Sequence, residues 1–288
     1  MKSIVKFIKI CEKISDTGFK GKCIDKFFLG LLKTIKPRAK IIDKNLKIVY
    51  PESSEEWRTS MRKNIYENLA WTLTEILALQ KNPAQAFDWI KKIDGENYIN
   101  DLFRQKKGAI LLTGHFGNWE LLGSWYAQNA KKNNYKLHVI FQEIHDKDIS
   151  DYVHEMREKN FMIPLAKETS ATEFARLLRN GAHIAILNDV SWSRKLILPF
   201  LGKDCTVSPG PAVLAMLGGV PIVPVGINRN SPFNHEVKIY EPFYVPDKKI
   251  ISNQEERIKI TTLKCNQALE KIILNKPELW FWLHNRWK

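Results

Sequence analysis

The chain has 288 residues and is 44% hydrophobic, enough to bury a core as one large domain or two small ones. Its 45 Lys and Arg exceed its 31 Asp and Glu by 14, a balance that favours polyanionic partners: nucleic acid, anionic lipid or an acidic protein. The four cysteines, Cys11, Cys23, Cys205 and Cys265, have no paired spacing, which excludes a zinc site of the C-x-x-C type and a disulfide framework and points to a reducing cytosol.

Residues 1–50 carry 13 basic side chains against Glu12, Asp16, Asp25 and Asp43, so most of the excess charge is N-terminal. Lys6 and Lys9 interrupt the first apolar stretch and no small-residue cleavage site follows, so a secretory signal is not expected. Ile4, Val5, Phe7, Ile8 and Ile14, then Ile24, Phe27, Phe28, Leu31, Leu32 and Ile35, recur among lysines with a helical period, broken near Thr17 and Gly18 and stopped by Pro37. Composition leaves two readings open, a basic helix packed on its own domain and an interfacial helix. The run "FFLGLL" beside lysines favours the membrane, because adjacent Phe suits the headgroup boundary. Residues 1–45 are therefore expected to form an amphipathic arm that associates with a membrane, and residues 46–288 the main domain.

A long helix is predicted over 54–80, capped by Ser53 or Ser54, with Glu55 and Glu56 in its first turn and an apolar face from Trp57 to Leu77. Shorter helices are expected around 83–92, 96–106, 119–132, 146–160, 169–180, 208–218 and 254–275. Between them lie strand-like runs at 109–113, 137–141, 161–165, 183–187, 220–227 and 236–241. The uncharged stretch from Cys205 to Asn228 is divided by prolines and glycines into a buried helix and a buried strand rather than a membrane span. Alternating strands and helices imply an α/β fold with a mostly parallel central sheet flanked by helices.

The segment "LLTGHFGNWELLGSW" ends the apolar run at 109–113 and opens a helix. In open α/β sheets ligands bind at the carboxyl ends of strands, and this run delivers Gly114 and His115 to such an end. Asn118 suits the N-cap of the next helix, which puts Glu120 in its first turn. If the loop doubles back, Glu120 meets the His115 ring, fixes its tautomer and leaves the other nitrogen as a base toward a hydroxyl. Gly114 and Gly117 permit a tight turn and close substrate approach. An isolated H-x4-E also fits a satisfied histidine and an ordinary first-turn acid. The signatures of a serine hydrolase elbow, a zincin and a P-loop are absent.

"GHFGNWE" resembles the H-x4-D/E box of bacterial lipid A biosynthesis acyltransferases, the late lauroyl and myristoyl transferases. The resemblance continues in order through "YPESSEEWRTSMRKNIYENLAWTLTE" before the box, then "MREKNFMIPL", "ILNDVSWSRKLILPFLGKDCTVSPGPAVLAMLGGVPIVPV" and "KPELWFWLHNRWK" after it, covering about residues 46–288. It implies a fold like that of glycerol-3-phosphate acyltransferases and, within lipopolysaccharide biosynthesis, transfer of a fatty acyl chain from an acyl carrier protein thioester to a hydroxyl of a lipid A precursor. His115 would be the general base and Glu120 its carboxylate partner. No cofactor, metal or covalent acyl-enzyme is implied, since the thioester is already activated.

The same resemblance makes Arg157 a phosphate ligand and assigns Asp189 to the substrate site, although the family commonly reads Pro-Asp-Gln where this chain has Asn188-Asp189-Val190. Arg194 and Lys195 follow and suit either acceptor phosphates or a solvated turn, while Gly117 and Asn118 complete the expected substrate-binding set with Arg194. Gly210 would open a helix N-terminus suited to an anion. The aromatic and basic ending reads as a clasp over the domain in preference to an interface. The family usually begins with one membrane-spanning helix, which this sequence does not show. The expected location is thus peripheral, on the cytoplasmic face of the bacterial inner membrane, with acyl carrier protein, lipid A precursor and anionic lipids as partners. Two other readings stay open: an acyltransferase for a lysophospholipid or another glycolipid, and a basic membrane-binding protein without catalysis. Nucleic acid is disfavoured because no recognised module interleaves aromatics with the basic run.

Overall fold

A computed structural model describes residues 2–142, 145–190 and 196–287. Three helices come first, α1 (Lys2–Ile14), α2 (Phe19–Ile35) and α3 (Ala39–Val49), followed by the long α4 (Glu55–Lys81). Then come α5 (Gln85–Trp89), β1 (Ile90–Asp94), α6 (Glu96–Arg104), β2 (Ala109–Thr113), α7 (Trp119–Lys132), β3 (Leu137–Phe141), α8 (Lys147–Lys159) and β4 (Met162–Ala166). The chain continues with α9 (Ala171–Arg179), β5 (His183–Leu187), the pair β6 (Ile197–Phe200) and β7 (Lys203–Thr206), α10 (Gly210–Gly218), β8 (Ile222–Ser231), β9 (Asn234–Ile239) and α11 (Gln254–Asn275).

Seven strands form one sheet in the order β1-β9-β8-β2-β5-β3-β4. The five from β8 to β4 are mutually parallel, and β9 is antiparallel to β8. The mostly parallel α/β fold expected from the sequence is what forms. Strand side chains alternate between faces. Ile110, Leu112, Ile184, Ile186 and Ile222 pack toward α9, α10 and α11, while Ala109, Leu111, Val139, Ala185 and Val223 pack toward α6 and α7. Both faces are covered, which is why these strands read as continuous apolar runs.

Two local expectations need correction. The helix expected over 83–92 stops at Trp89, and residues 90–94 form edge strand β1 on β9. Lys91 and Lys92 face solvent there, the usual protection of a sheet edge, and they hide the strand from a periodicity reading. The β6–β7 hairpin was not expected. Its two-residue turn places Leu201 at φ +49 and Gly202 at φ +78, the geometry that matches strand twist.

The N-terminal helices do not stand apart. Ile24 of α2 packs with Leu77 of α4, and α3 runs across residue 45 to bury Ile42 and Leu46 in the main core. Asn45 donates to the carbonyls of Trp282 and His284 at 2.9 and 2.7 Å, tying α3 to the C-terminus. Among the described residues no helix is long and apolar enough to cross a membrane.

Candidate active site

The β2–β5 pairing runs from Ala109 opposite His183 to Thr113 opposite Leu187, and the Asn188 N–H adds one more bond to the Thr113 carbonyl at 3.0 Å. The two strands thus leave the sheet side by side at their carboxyl ends, carrying Gly114-His115 and Asn188-Asp189. His115 Nδ1 lies 2.9 Å from Asp189 Oδ1, and the His115 backbone N–H donates to Asp189 Oδ2 at 2.8 Å. A Cβ at Gly114 would sit 3.0 Å from the Asp189 carboxyl carbon, so the missing side chain is what lets the carboxylate approach.

Glu120 sits in the first turn of α7 as expected, but it does not hold the His115 ring. It takes a two-point contact from Arg157, Nη2 to Oε1 at 2.6 Å and Nε to Oε2 at 3.2 Å, and a further bond from Trp119 Nε1 at 3.2 Å. The ring's carboxylate is Asp189, which sequence reasoning had assigned to substrate. Glu120 holds Arg157 instead, and Arg157 lines the cavity beside His115. Gly117 and Asn118, expected in the substrate-binding set, make scaffold contacts. Gly117 has φ +57 and a Cβ there would meet the Ile227 carbonyl at 2.4 Å. Asn118 is fully buried, caps α7 through Leu121 N–H and donates to Glu75 Oε2 at 3.0 Å. Arg194 and Lys195 lie outside the described residues.

The carboxylate accepts and cannot donate, so Nδ1 of His115 carries the hydrogen and Nε2 is left for chemistry. Burial pulls the imidazole pKa down, but the charge of Asp189, its hydrogen bond and the charge of Glu120 outweigh burial and the opposing Arg157, so the net shift is upward from 6.5. Burial pushes Asp189 up; the charge of His115 and the bonds from its ring, from Trp280 and from its backbone more than offset this and lower the carboxyl to about 2. Trp119 and Phe281 wall the ring, with centroids 5.1 and 6.0 Å away.

His115 opens onto a cavity of about 610 Å³. Its walls are largely apolar, with Phe141, Val153, Phe174, Ile186 and Leu214 among them, and His154, Arg157 and Lys167 supply a basic side. Gly210 also faces this space at the start of α10, where the sequence placed a helix N-terminus. No cysteine lines the cavity among the described residues. Burial pushes the Cys265 thiol up to about 12 and raises Cys11 and Cys205, which makes these three poor nucleophiles.

A strand-end histidine with a carboxylate behind it, facing an apolar cavity, fits transfer of a hydrocarbon chain. The sequence profile described as bacterial lipid A biosynthesis acyltransferase matches residues 21–288. The chain belongs to that family. It is similar to the lipid A biosynthesis lauroyltransferase of Escherichia coli (strain K12), 23% identical over 260 residues that cover 89% of this chain and 81% of the relative. It is also similar to the lipid A biosynthesis palmitoleoyltransferase of the same organism, 22% identical over 261 residues, 88% and 80% of the two chains, and equally to a lipid A biosynthesis acyltransferase of Shigella flexneri. The matched region begins inside α2, so the family's pattern includes α2 and α3 as well as the sheet domain. As a member, this chain is an acyltransferase of lipid A biosynthesis.

Sequence reasoning did not single out the buried group Glu75, Arg229 and His235. Arg229 reaches both Glu75 oxygens at 3.1 and 2.7 Å, and His235 Nε2 lies 3.0 Å from Oε1. Burial alone would raise Glu75, but Arg229 and His235 hold it well below the usual carboxylate range. Through Asn118 this group anchors the turn between His115 and α7. A glutamate in the middle of a long helix otherwise assigned to the core was the available signal.

Proposed function

We propose that this acyltransferase moves a fatty acyl chain from an acyl carrier protein thioester directly to a hydroxyl of a lipid A precursor, without an acyl-enzyme, with His115 as general base and Asp189 as the carboxylate that orients it. The observation that carries this reading is His115 itself, its Nδ1 held by Asp189 and its ring facing the apolar cavity. The acceptor hydroxyl oxygen attacks the thioester carbonyl carbon while its proton passes to Nε2. The tetrahedral adduct then collapses, the C–S bond breaks, and the leaving thiolate takes the proton back from the imidazolium. The acyl chain occupies the apolar part of the cavity. Arg157, with Nε and Nη2 taken by Glu120, offers Nη1 to a phosphate of the acceptor or of the donor's pantetheine arm. Lys167 and His154 lie on the same wall.

The protein works from the surface of an anionic leaflet, the cytoplasmic face of the inner membrane. Phe7, Ile10 and Ile14 of α1 and Phe27, Leu31 and Ile35 of α2 are all exposed, with Phe27 at 51% and Ile35 at 63%. The Phe7 and Phe27 rings meet at 5.9 Å and join the two stripes into one ridge. Lysines flank both stripes in the sequence, the pattern of a helix pair lying in the headgroup boundary.

Purified full-length protein should be assayed with acyl carrier protein and coenzyme A thioesters of several chain lengths, on lipid A precursor, lysophospholipid and another glycolipid. Transfer to the lipid A precursor from the carrier thioester is expected to dominate. Faster transfer to a lysophospholipid or another glycolipid would replace the acceptor assignment, and a preference for coenzyme A would replace the donor.

A further inference from the structure

The carboxylate behind His115 is itself held by a residue from the far end of the chain. Trp280 donates its indole Nε1–H to Asp189 Oδ2 at 2.8 Å. With the His115 ring on Oδ1 and the His115 backbone N–H also on Oδ2, both oxygens are engaged and the carboxylate plane cannot rotate. Asp189 is only 2% exposed, so water is poorly placed to replace a lost donor. An indole N–H can donate and cannot accept, so it never competes with Asp189 for the imidazole proton.

The tryptophan is fixed in turn. Trp280 is 1% exposed, its ring packs against Trp282, Phe200 and Trp287 at 4.7, 5.9 and 6.1 Å, and its backbone bridges Phe116, the residue after the histidine. Phe281 N–H bonds the His115 carbonyl at 2.9 Å and Gly117 N–H bonds the Leu279 carbonyl at 2.8 Å. The C-terminal segment therefore grips the histidine turn through its backbone and reaches the carboxylate with one side chain.

We propose that Trp280 is a positioning residue for acyl transfer: its indole N–H locks the Asp189 carboxylate in the orientation that keeps the hydrogen on Nδ1 of His115 and Nε2 free toward the cavity. This rests on the reading of His115 as the base. The charged groups that also face the pair are Glu120 and Arg157 on the His115 side and Arg286 on the Asp189 side, and a change at Trp280 leaves all three in place.

Trp280→Phe keeps an aromatic ring and removes the donor. An Asp189 with one donor fewer is more basic and holds the imidazole proton more tightly. The His115 midpoint, followed by NMR of the ring in the full chain, should rise by about half a unit. That is part of the one to two units, roughly, that a hydrogen bond to a charged group is worth on the carboxylate itself. Trp282→Phe removes a neighbouring indole that donates to the Pro277 carbonyl and should leave the midpoint where it was. In kinetics, Trp280→Phe should lower kcat with little change in KM and move the acid limb of the pH profile upward. A folded Trp280→Phe protein with an unshifted His115 midpoint would overturn the proposal. If that variant does not fold, the parent protein decides: the Trp280 indole N–H resonance should move through the His115 midpoint as pH is varied, and a resonance that stays still would overturn it equally. A shifted midpoint that the kcat profile does not follow would instead overturn His115 as the base, which the contact alone does not require.

Discussion

At the residue scale the proposed chemistry depends on which carboxylate holds His115. Asp189 reaches the ring at 2.9 Å while Glu120 is taken by Arg157, so substitutions at the two acids should separate. Asp189→Asn should cut turnover by about 10² to 10⁴, because an amide NH₂ turned toward Nδ1 favours the wrong tautomer. The sign of the pH effect follows from the raised imidazole. A base must be neutral, so activity in the parent should fall as pH drops through a His115 value raised above 6.5, and in Asp189→Asn the remaining activity should persist to lower pH. A pH profile of kcat/KM for both proteins measures this, and an acid limb unmoved by Asp189→Asn would remove Asp189 from the pair. The pair also stabilises the fold between two limits: on the acid side the contribution is lost as pH falls from about 4 through the Asp189 value of about 2, and on the basic side as pH rises through the raised value of His115. His115 and its place at a strand end were legible in the sequence, and Asp189 was visible as a site residue. Their pairing was not, because 74 residues separate them and contact requires β5 to lie beside β2, although β3 and β4 come between them in the chain.

At the scale of elements, the runs at 109–113, 137–141 and 183–187 and the helices at 119–132 and 254–275 fall where periodicity placed them, since each is apolar on the side its neighbours cover. Elements defined by pairing with a distant partner escaped, as β1 and the β6–β7 hairpin show. The arm is an intermediate case. Its helices were legible, but α2 lays Ile24 on α4, so deleting the arm would strip Leu77 and confound membrane binding with unfolding. Charges placed on the exposed ridge test the bilayer role without touching that contact. Phe7→Glu, Phe27→Glu and Leu31→Glu together should move the protein from sedimenting with anionic vesicles to the supernatant. The lysines contribute about 1 kcal/mol each near such a leaflet and are screened over roughly 8 to 10 Å, whereas the apolar part is not. High salt should therefore release the parent only partly. Unchanged sedimentation of the triple variant would show that another surface meets the membrane. Helix α8 links this arm to the site: Val153, His154 and Arg157 face the cavity, and Glu155 on another side of the helix pairs with Lys9 of α1 at 3.1 Å.

At the scale of the whole molecule, three segments far apart in sequence converge on one turn. The C-terminal segment bonds it through Phe281 and Leu279, α4 holds Asn118 through Glu75, and β8 supplies the Arg229 that neutralises Glu75. Glu75→Gln would leave the buried Arg229 guanidinium without the carboxylate it pairs with, and breaking a buried ion pair from one side costs about 3–5 kcal/mol. Denaturant unfolding should show a loss of that order; a loss below about 1 kcal/mol would mean the network contributes little. In the proposed mechanism transfer is decided at the centre of this frame, by whether Nε2 of His115 accepts the hydroxyl proton. The most direct measurement is the rate of acyl transfer to lipid A precursor by purified His115→Ala beside the parent, with folding and vesicle binding checked on the same samples. A loss of about 10² to 10⁴ in turnover with fold and binding intact is the predicted result; a folded, membrane-bound variant working within a few-fold of the parent would contradict it.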